Sequence, residues 1–282
     1  MVITVQKEKL EEKLGRNMLS NTIKSMTTIA LLSSHALYAN ESEDIAKKLA
    51  NPIAAMISLP IQANYHQNLG LDDEGEKWTV NIQPVIPMEL SEDWNLISRT
   101  IIPLVSQSKL FPGAGTQDGI GDILTSAWAS PKAPTADGWI WGVGAAALIP
   151  TGSDVSAHKW GVGPTVIALK QDGPWTYGGL ANHIWSTGGS NQVVDNVNST
   201  FMQPFLAYVT PQAISISLNT ESTYDWENEQ WSIPVNLQVT KVTKIGNQII
   251  SYGAGATYWA ESADSGPEGW GARVIVTFIF PR

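Results

Sequence analysis

WTYGGLANHIWS, residues Trp175 to Ser186, decides the fold of this chain. Trp175, Tyr177 and Trp185 occupy alternate positions, so in an extended strand they share one face. Spaced eight to ten residues apart, they span about 25 Å at strand rise, close to the height of the apolar band on a membrane barrel. Indole is large and apolar with a single N–H donor, and it settles where hydrocarbon meets water. Every one of the twelve tryptophans falls at an end of a run of alternating apolar and polar residues. We read Trp78, Trp94, Trp139, Trp160, Trp175, Trp185, Trp226, Trp231, Trp259 and Trp270 as membrane-interface anchors. The competing reading is a soluble β-sandwich with core aromatics at its strand ends. Sandwich aromatics gather toward the middle of core strands, which argues against it.

The same alternation extends in both directions. Over residues 55–66, Ile57, Leu59, Ile61, Ala63 and Tyr65 oppose Ser58, Pro60, Gln62, Asn64 and His66. Residues 78–88 place Trp78, Val80, Ile82, Pro84, Ile86 and Met88 opposite Thr79, Asn81 and Gln83, after an acidic loop over residues 72–76. Residues 94–105 follow, with Arg99 turned inward. Further strands are expected over 120–131, 139–150, 160–170, 175–186, 200–209, 214–226, 231–241, 249–259 and 270–280. The sum is about twelve, an even number suited to an antiparallel barrel. Connections alternate short and mostly long, as periplasmic turns and outer loops do; 132–138 and 227–230 break the rule. The chain ends on Val274-Ile275-Val276-Thr277-Phe278-Ile279-Phe280, an aromatic strand end of the kind that barrel-assembly machinery recognises. Pro281-Arg282 departs from the usual terminal Phe.

Residues 1–39 read as an N-terminal extension with an export signal from about Met18. Lys24 is the positive flank, Met26 to Leu37 the apolar core, and Leu37-Tyr38-Ala39 the cleavage site. A helical arm of a cytosolic protein is the alternative. Over residues 40–52, Ile45, Ala46 and Leu49 share a helical face, and Asn51-Pro52 ends the segment. It is expected as a short periplasmic or lumen helix, a spacer more than a plug. Residues 53–282 form the barrel.

Composition narrows the function. No run of 18 apolar residues is present, so no membrane-spanning helix is written here, which leaves a barrel untouched. There is no cysteine, and the charged fraction of 15% is below that usual for soluble domains. A net charge of −9 argues against nucleic acid as a partner.

His35, His66, His158 and His183 are scattered without metal-ligand spacing. His183 and Ser186 stand three apart in a strand and point to opposite faces, so they cannot form a lipid-facing hydrolase pair without a bulge. Gly142-Val143-Gly144 and Gly161-Val162-Gly163 lack the Lys and following helix of a phosphate loop and read as strand glycines beside bulky neighbours. The acidic loop has no calcium-motif spacing. Catalytic residues, metals and cofactors are therefore not expected.

The inward set carries the functional clue. Arg99, Asp122, Asn182, Asn219, Glu221, Asp225 and Arg273 are candidates for a solute path through the lumen. Arg99 and Arg273 could also cancel Asp122 and Glu221 and fill the interior. A narrow pore and a filled one are both compatible with about twelve strands.

Four stretches, residues 81–104, 173–186, 218–237 and 258–281, resemble a family of bacterial outer-membrane transporters. These barrels are grouped with the phenol meta-degradation outer-membrane proteins and, more remotely, with long-chain fatty-acid-type channels. The resemblance runs from about Ala50 to the end and excludes the charged arm before Met18. It implies passive uptake or efflux of small, apolar or aromatic solutes, and it carries no catalytic residues. The expectation is an all-β, transmembrane, up-and-down barrel in a Gram-negative outer membrane. Its partners would be lipid, lipopolysaccharide, the barrel-assembly machinery and a small solute. A structural barrel without transport and a phospholipase-type hydrolase are the rivals.

Overall fold

In the computed structural model, the structure describes residues 41–189 and 196–280. The expected export signal and the terminal Pro281-Arg282 lie outside them. Antiparallel strands make one closed ring. In chain order they are β1 (Ile57–Leu69), β2 (Gly75–Ile82 and Val85–Glu89), β3 (Trp94–Ser108), β4 (Gln117–Ile120 and Ile123–Pro131), β5 (Trp139–Ile149) and β6 (Lys159–Asp172). β7 (Trp175–Gly189), β8 (Asn198–Val209), β9 (Ile214–Thr220 and Ser222–Asp225), β10 (Gln230–Ile245), β11 (Gln248–Glu261) and β12 (Gly269–Phe280) complete it. Each strand pairs with the next in sequence. β12 returns to β1 from Ile57 opposite Phe280 to Tyr65 opposite Ala272, which leaves no open edge.

Three strands are interrupted; β2 and β9 keep their register across the break, whereas β4 slips by one residue as a bulge does, and each interruption has a cause. In β2 it falls at Gln83-Pro84, where proline has no N–H for the ladder. In β9 it falls at Glu221, whose N–H reaches the Pro234 carbonyl at 3.3 Å while Pro234 cannot donate in return. In β4, Gly121-Asp122 leaves the ladder and the Asp122 carboxylate turns to the 150–158 connection. Gly75 and Glu76, expected in the acidic loop, instead open β2 and pair with β1.

Two-residue connections such as Gly173-Pro174 and Gly246-Asn247 lie at one end of the ring, and most longer ones at the other. Gly173 has φ +56°, the positive angle that mirror-type hairpin turns need at their first central residue.

The outer face is apolar over its whole middle. Leu104, Val162, Val166, Leu218, Leu237, Val239 and Val274 all stand exposed there. So continuous a band is far larger than a water-solvated monomer presents, and lipid is its proper solvent. Aromatic pairs bound it. At the short-turn end Trp94 meets Trp141 at 5.7 Å, Trp139 meets Tyr177 at 6.2 Å and Trp175 meets Tyr208 at 4.8 Å. At the other end Tyr65 meets Trp78 at 4.9 Å, Tyr224 packs between Trp226 and Trp231, and Tyr258 meets Trp270 at 5.0 Å.

Two tryptophans leave these belts. Thr257, buried opposite Asn236, fixes the inward parity of β11; Tyr258 then faces out and Trp259 faces in. The expected anchor Trp259 therefore lies at the lumen mouth, its Nε1–H donating to His66 Nδ1 at 3.2 Å. Trp128, 1% exposed, lies inside the barrel and not at a strand end. Its indole donates to Thr165 Oγ1 at 3.0 Å. Gly144 stands across from it, where a Cβ would come within 1.7 Å of the Ala127 carbonyl oxygen. The strand-glycine reading of Gly142-Val143-Gly144 describes this close packing.

Candidate functional site

The interior divides lengthwise. On one side, β3 to β7 turn Ile97, Trp128, Ile167, Leu169 and Leu180 inward as a buried apolar cluster joined by Ile53. Each such aliphatic side chain contributes about 1.5–3 kcal/mol of burial. On the other side, β1 and β9 to β12 turn inward a set of polar residues, several of them bonded to one another.

Arg273 is the hub of the polar side. Only 5% exposed, it sends Nη1 to Glu221 Oε1 at 3.1 Å and Nη2 to Glu221 Oε2 at 2.9 Å. Its Nε donates to Asn64 Oδ1 at 2.7 Å, and Asn64 Nδ2 donates to the Thr79 carbonyl at 3.3 Å. Glu221 and Arg273 stand on β9 and β12, with two strands between them, so the pair bridges part of the lumen wall. A second chain of bonds lies alongside. Thr257 Oγ1 donates to Asn236 Oδ1 at 2.7 Å, and Asn236 Nδ2 donates to Asn219 Oδ1 at 2.9 Å. Fully desolvated polar groups persist only when bonded in this way.

The other expected lumen residues separate. Asn182 is buried on the inward face of β7, opposite Thr165. Asp122 accepts from the Ser156 hydroxyl and from the Ala157 N–H at 2.8 Å, so it anchors the 150–158 connection and pairs with neither arginine. Asp225 accepts from the Glu227 N–H at 2.9 Å and Asn228 Nδ2 at 2.9 Å and caps the turn after β9. Arg99 reaches none of them. Its guanidinium lies over the Trp128 ring, 5.6 Å from the centroid, and makes no ion pair among the described residues.

The helix occupies residues 41–49. Ile45, Ala46 and Leu49 pack on Met56, Val209, Ala213, Val242 and Ile279 at the short-turn end of the barrel. Gln171 Nε2, from inside β6, donates to the Lys47 carbonyl at 2.8 Å. The helix is therefore docked against inward-facing side chains, a closer engagement than a spacer makes. Above it lies a cavity of about 240 Å³, faced by Arg99, Gln203, Phe205, Ser217, Asn219 and Gln238 among others. Phe205 and Gln203 were not singled out by sequence reasoning; in the structure they share the inward parity of Phe201 on β8.

His183 faces outward, with Nδ1 2.7 Å from Thr200 Oγ1 and its ring against Trp185 at 4.1 Å. Ser186, opposite Gly161, is on the inward face, so the two do not meet.

No family model matches the chain, and no curated relative does. Among solved structures, an outer-membrane channel from Pseudomonas putida F1 superposes with TM-score 0.63 at 14% identity, covering 80% of this chain and 96% of that one. The NanC porin gives TM-score 0.49 at 11% identity over 78% of this chain and 98% of its own. Outer-membrane phospholipase A from Escherichia coli gives 0.48 at 8% identity over 79% and 90%. The first of these places the fold among outer-membrane β-barrels.

Proposed function

We propose that the chain is a passive channel for small solutes in the outer membrane of a Gram-negative bacterium. The observation that carries this reading is the cavity inside a closed barrel, walled partly by two polar groups without a hydrogen-bond partner among the described residues, the Arg99 guanidinium and Gln238 Oε1. A barrel needing only structural integrity gains nothing from such groups, since buried polar atoms without partners destabilise. The apolar exterior, bounded by aromatic pairs, supports the membrane location. The solutes we assign are small and apolar or aromatic in part, as the resemblance to phenol meta-degradation barrels implies, and Phe205 and Val85 offer them apolar surface. Transport is downhill, in either direction, through binding to lumen side chains, with no catalytic step and no energy source. The working partners are lipid and lipopolysaccharide outside, the solute within, and the barrel-assembly machinery at β12, whose Phe278 and Phe280 face outward.

Single-channel recording of the purified chain in planar bilayers tests the reading. Discrete conductance steps are expected in potassium chloride. A silent bilayer with correctly folded protein would return the chain to a structural role. Turnover of a chromogenic ester would instead bring back the hydrolase, with His183 and Thr200 the residues to replace first.

A further inference from the structure

The two lumen arginines are treated differently by the fold. Arg273 has its fork filled by Glu221 and Asn64. Arg99 makes no hydrogen bond or ion pair among the described residues, although it lies inside the barrel and faces the cavity. The nearest lumen carboxylate, Glu221, is already held by both nitrogens of Arg273. A second cation, Lys48 in the last turn of the docked helix, also borders the cavity, and among the described residues its wall contains neither Asp nor Glu. In a chain of net charge −9, a cavity bordered by two cations and no acid marks a local reversal of sign. The Gln238 Oε1 atom is buried there without a partner, so that amide can be turned to present its NH₂. Phe205 and Val85 supply apolar wall.

We propose that this cavity binds a small organic anion bearing one carboxylate on a short apolar or aromatic body. Arg99 takes the carboxylate through its planar fork, the geometry that suits a two-oxygen acceptor. Gln238 and Gln203 donate at its flanks, and the body lies against Phe205 and Val85. A volume near 240 Å³ is below the roughly 300–1,000 Å³ of pockets for drug-sized ligands, so the occupant is small. As the solute class of a channel, this rests on the channel reading; as a binding site, it is open to test without conduction.

The full chain in detergent micelles is titrated with 4-fluorobenzoate and, separately, with its neutral analogue 4-fluorobenzamide, and fluorine NMR line broadening is followed. Saturable broadening is expected for the carboxylate, reversed by unlabelled benzoate, with little for the amide. Arg99→Gln is expected to weaken binding about tenfold or more, and Arg99→Lys to keep part of it. Equal broadening by both probes, or undiminished binding in Arg99→Gln, overturns the site. Should Arg99→Gln fail to fold, Lys48→Gln and the carboxylate–amide contrast in the native chain still decide. Bilayer recording is run in parallel. Conductance without benzoate binding sinks the anion site and leaves the channel, whereas binding without conductance does the reverse.

Discussion

The two sides of the lumen solve the same problem with different chemistry. Both must fill the inside of a cylinder. Beside β3 to β7 this is done as in a soluble core, with Trp128, Ile97, Leu169 and Leu180 packed on Ile53. Beside β1 and β9 to β12 it is done with Arg273, Glu221, Asn64, Asn236 and Thr257, each bonded to another. The apolar side holds the barrel in shape, because dispersion and burial need no exact partner. The polar side tolerates water and solute, because its groups can exchange one acceptor for another. The cavity lies where the two meet, and Arg99 sits on the boundary: its guanidinium rests on Trp128 from one side and faces Asn219 and Gln238 on the other.

That contrast is easiest to break on the apolar side. Trp128→Ala should cost about 3–5 kcal/mol, because a large cavity opens beside Gly144 and the Thr165 hydroxyl loses its donor. A fall in the urea midpoint of the heat-modifiable gel band checks it. Ile45→Asp should cost about 2–4 kcal/mol of helix docking, since the carboxylate cannot stay among Val209, Val242 and Ile279. Its clearest readout is a larger single-channel conductance, and an unchanged value would mean that the helix does not limit the path. On the polar side Glu221→Gln should cost about 1–3 kcal/mol, less than a fully dry pair because Glu221 borders lumen space. The double change Glu221→Gln, Arg273→Gln should recover part of that in the same urea assay. Least affected should be Glu89→Gln, which removes an exposed partner of Lys132 beyond either lumen side. Its midpoint should move by under about 0.5 kcal/mol.

How much of this was legible in the residues depends on which face one reads. Where an apolar outside opposes a polar inside, as over Ile57 to His66, period two is plain and the strand can be placed without coordinates. Around Ile167 to Leu169 in β6 and Leu180 in β7 both faces are apolar, since Val166 and Ala168 face lipid while Ile167, Leu169 and Leu180 face inward. Alternation vanishes there, and with it any sign that half the lumen is a hydrophobic core. Trp128, on β4, stands between the inward Ser126 and Ser130, so its own strand gives no sign of the apolar cluster it joins. Trp259 was misplaced because Tyr258 and Trp259 are adjacent and only one can face lipid; the choice is made by Thr257, which turns inward to bond Asn236 on the neighbouring strand. Arg99, Asn182, Asn219, Glu221 and Arg273 could be assigned to the interior from parity alone. Which arginine takes Glu221 is set by ring closure, which brings β12 round to β1 and lets Arg273 reach both Asn64 and Glu221. The wall of the barrel was readable in the chain; the partnerships across it were not.

The seam between β1 and β12 carries one more consequence. It joins Ile57 to Phe280, nearly the two extremes of the described chain, and so imposes the largest loss of chain entropy of any pairing in the ring. Residues 43–56 immediately precede that seam and end up inside it. Their docking surface includes Ile279 of β12 beside Met56, so that surface is complete only once the last two strands have zipped together. Capture of the helix then depends on closure of the wall, and slowing closure in a refolding experiment should slow capture.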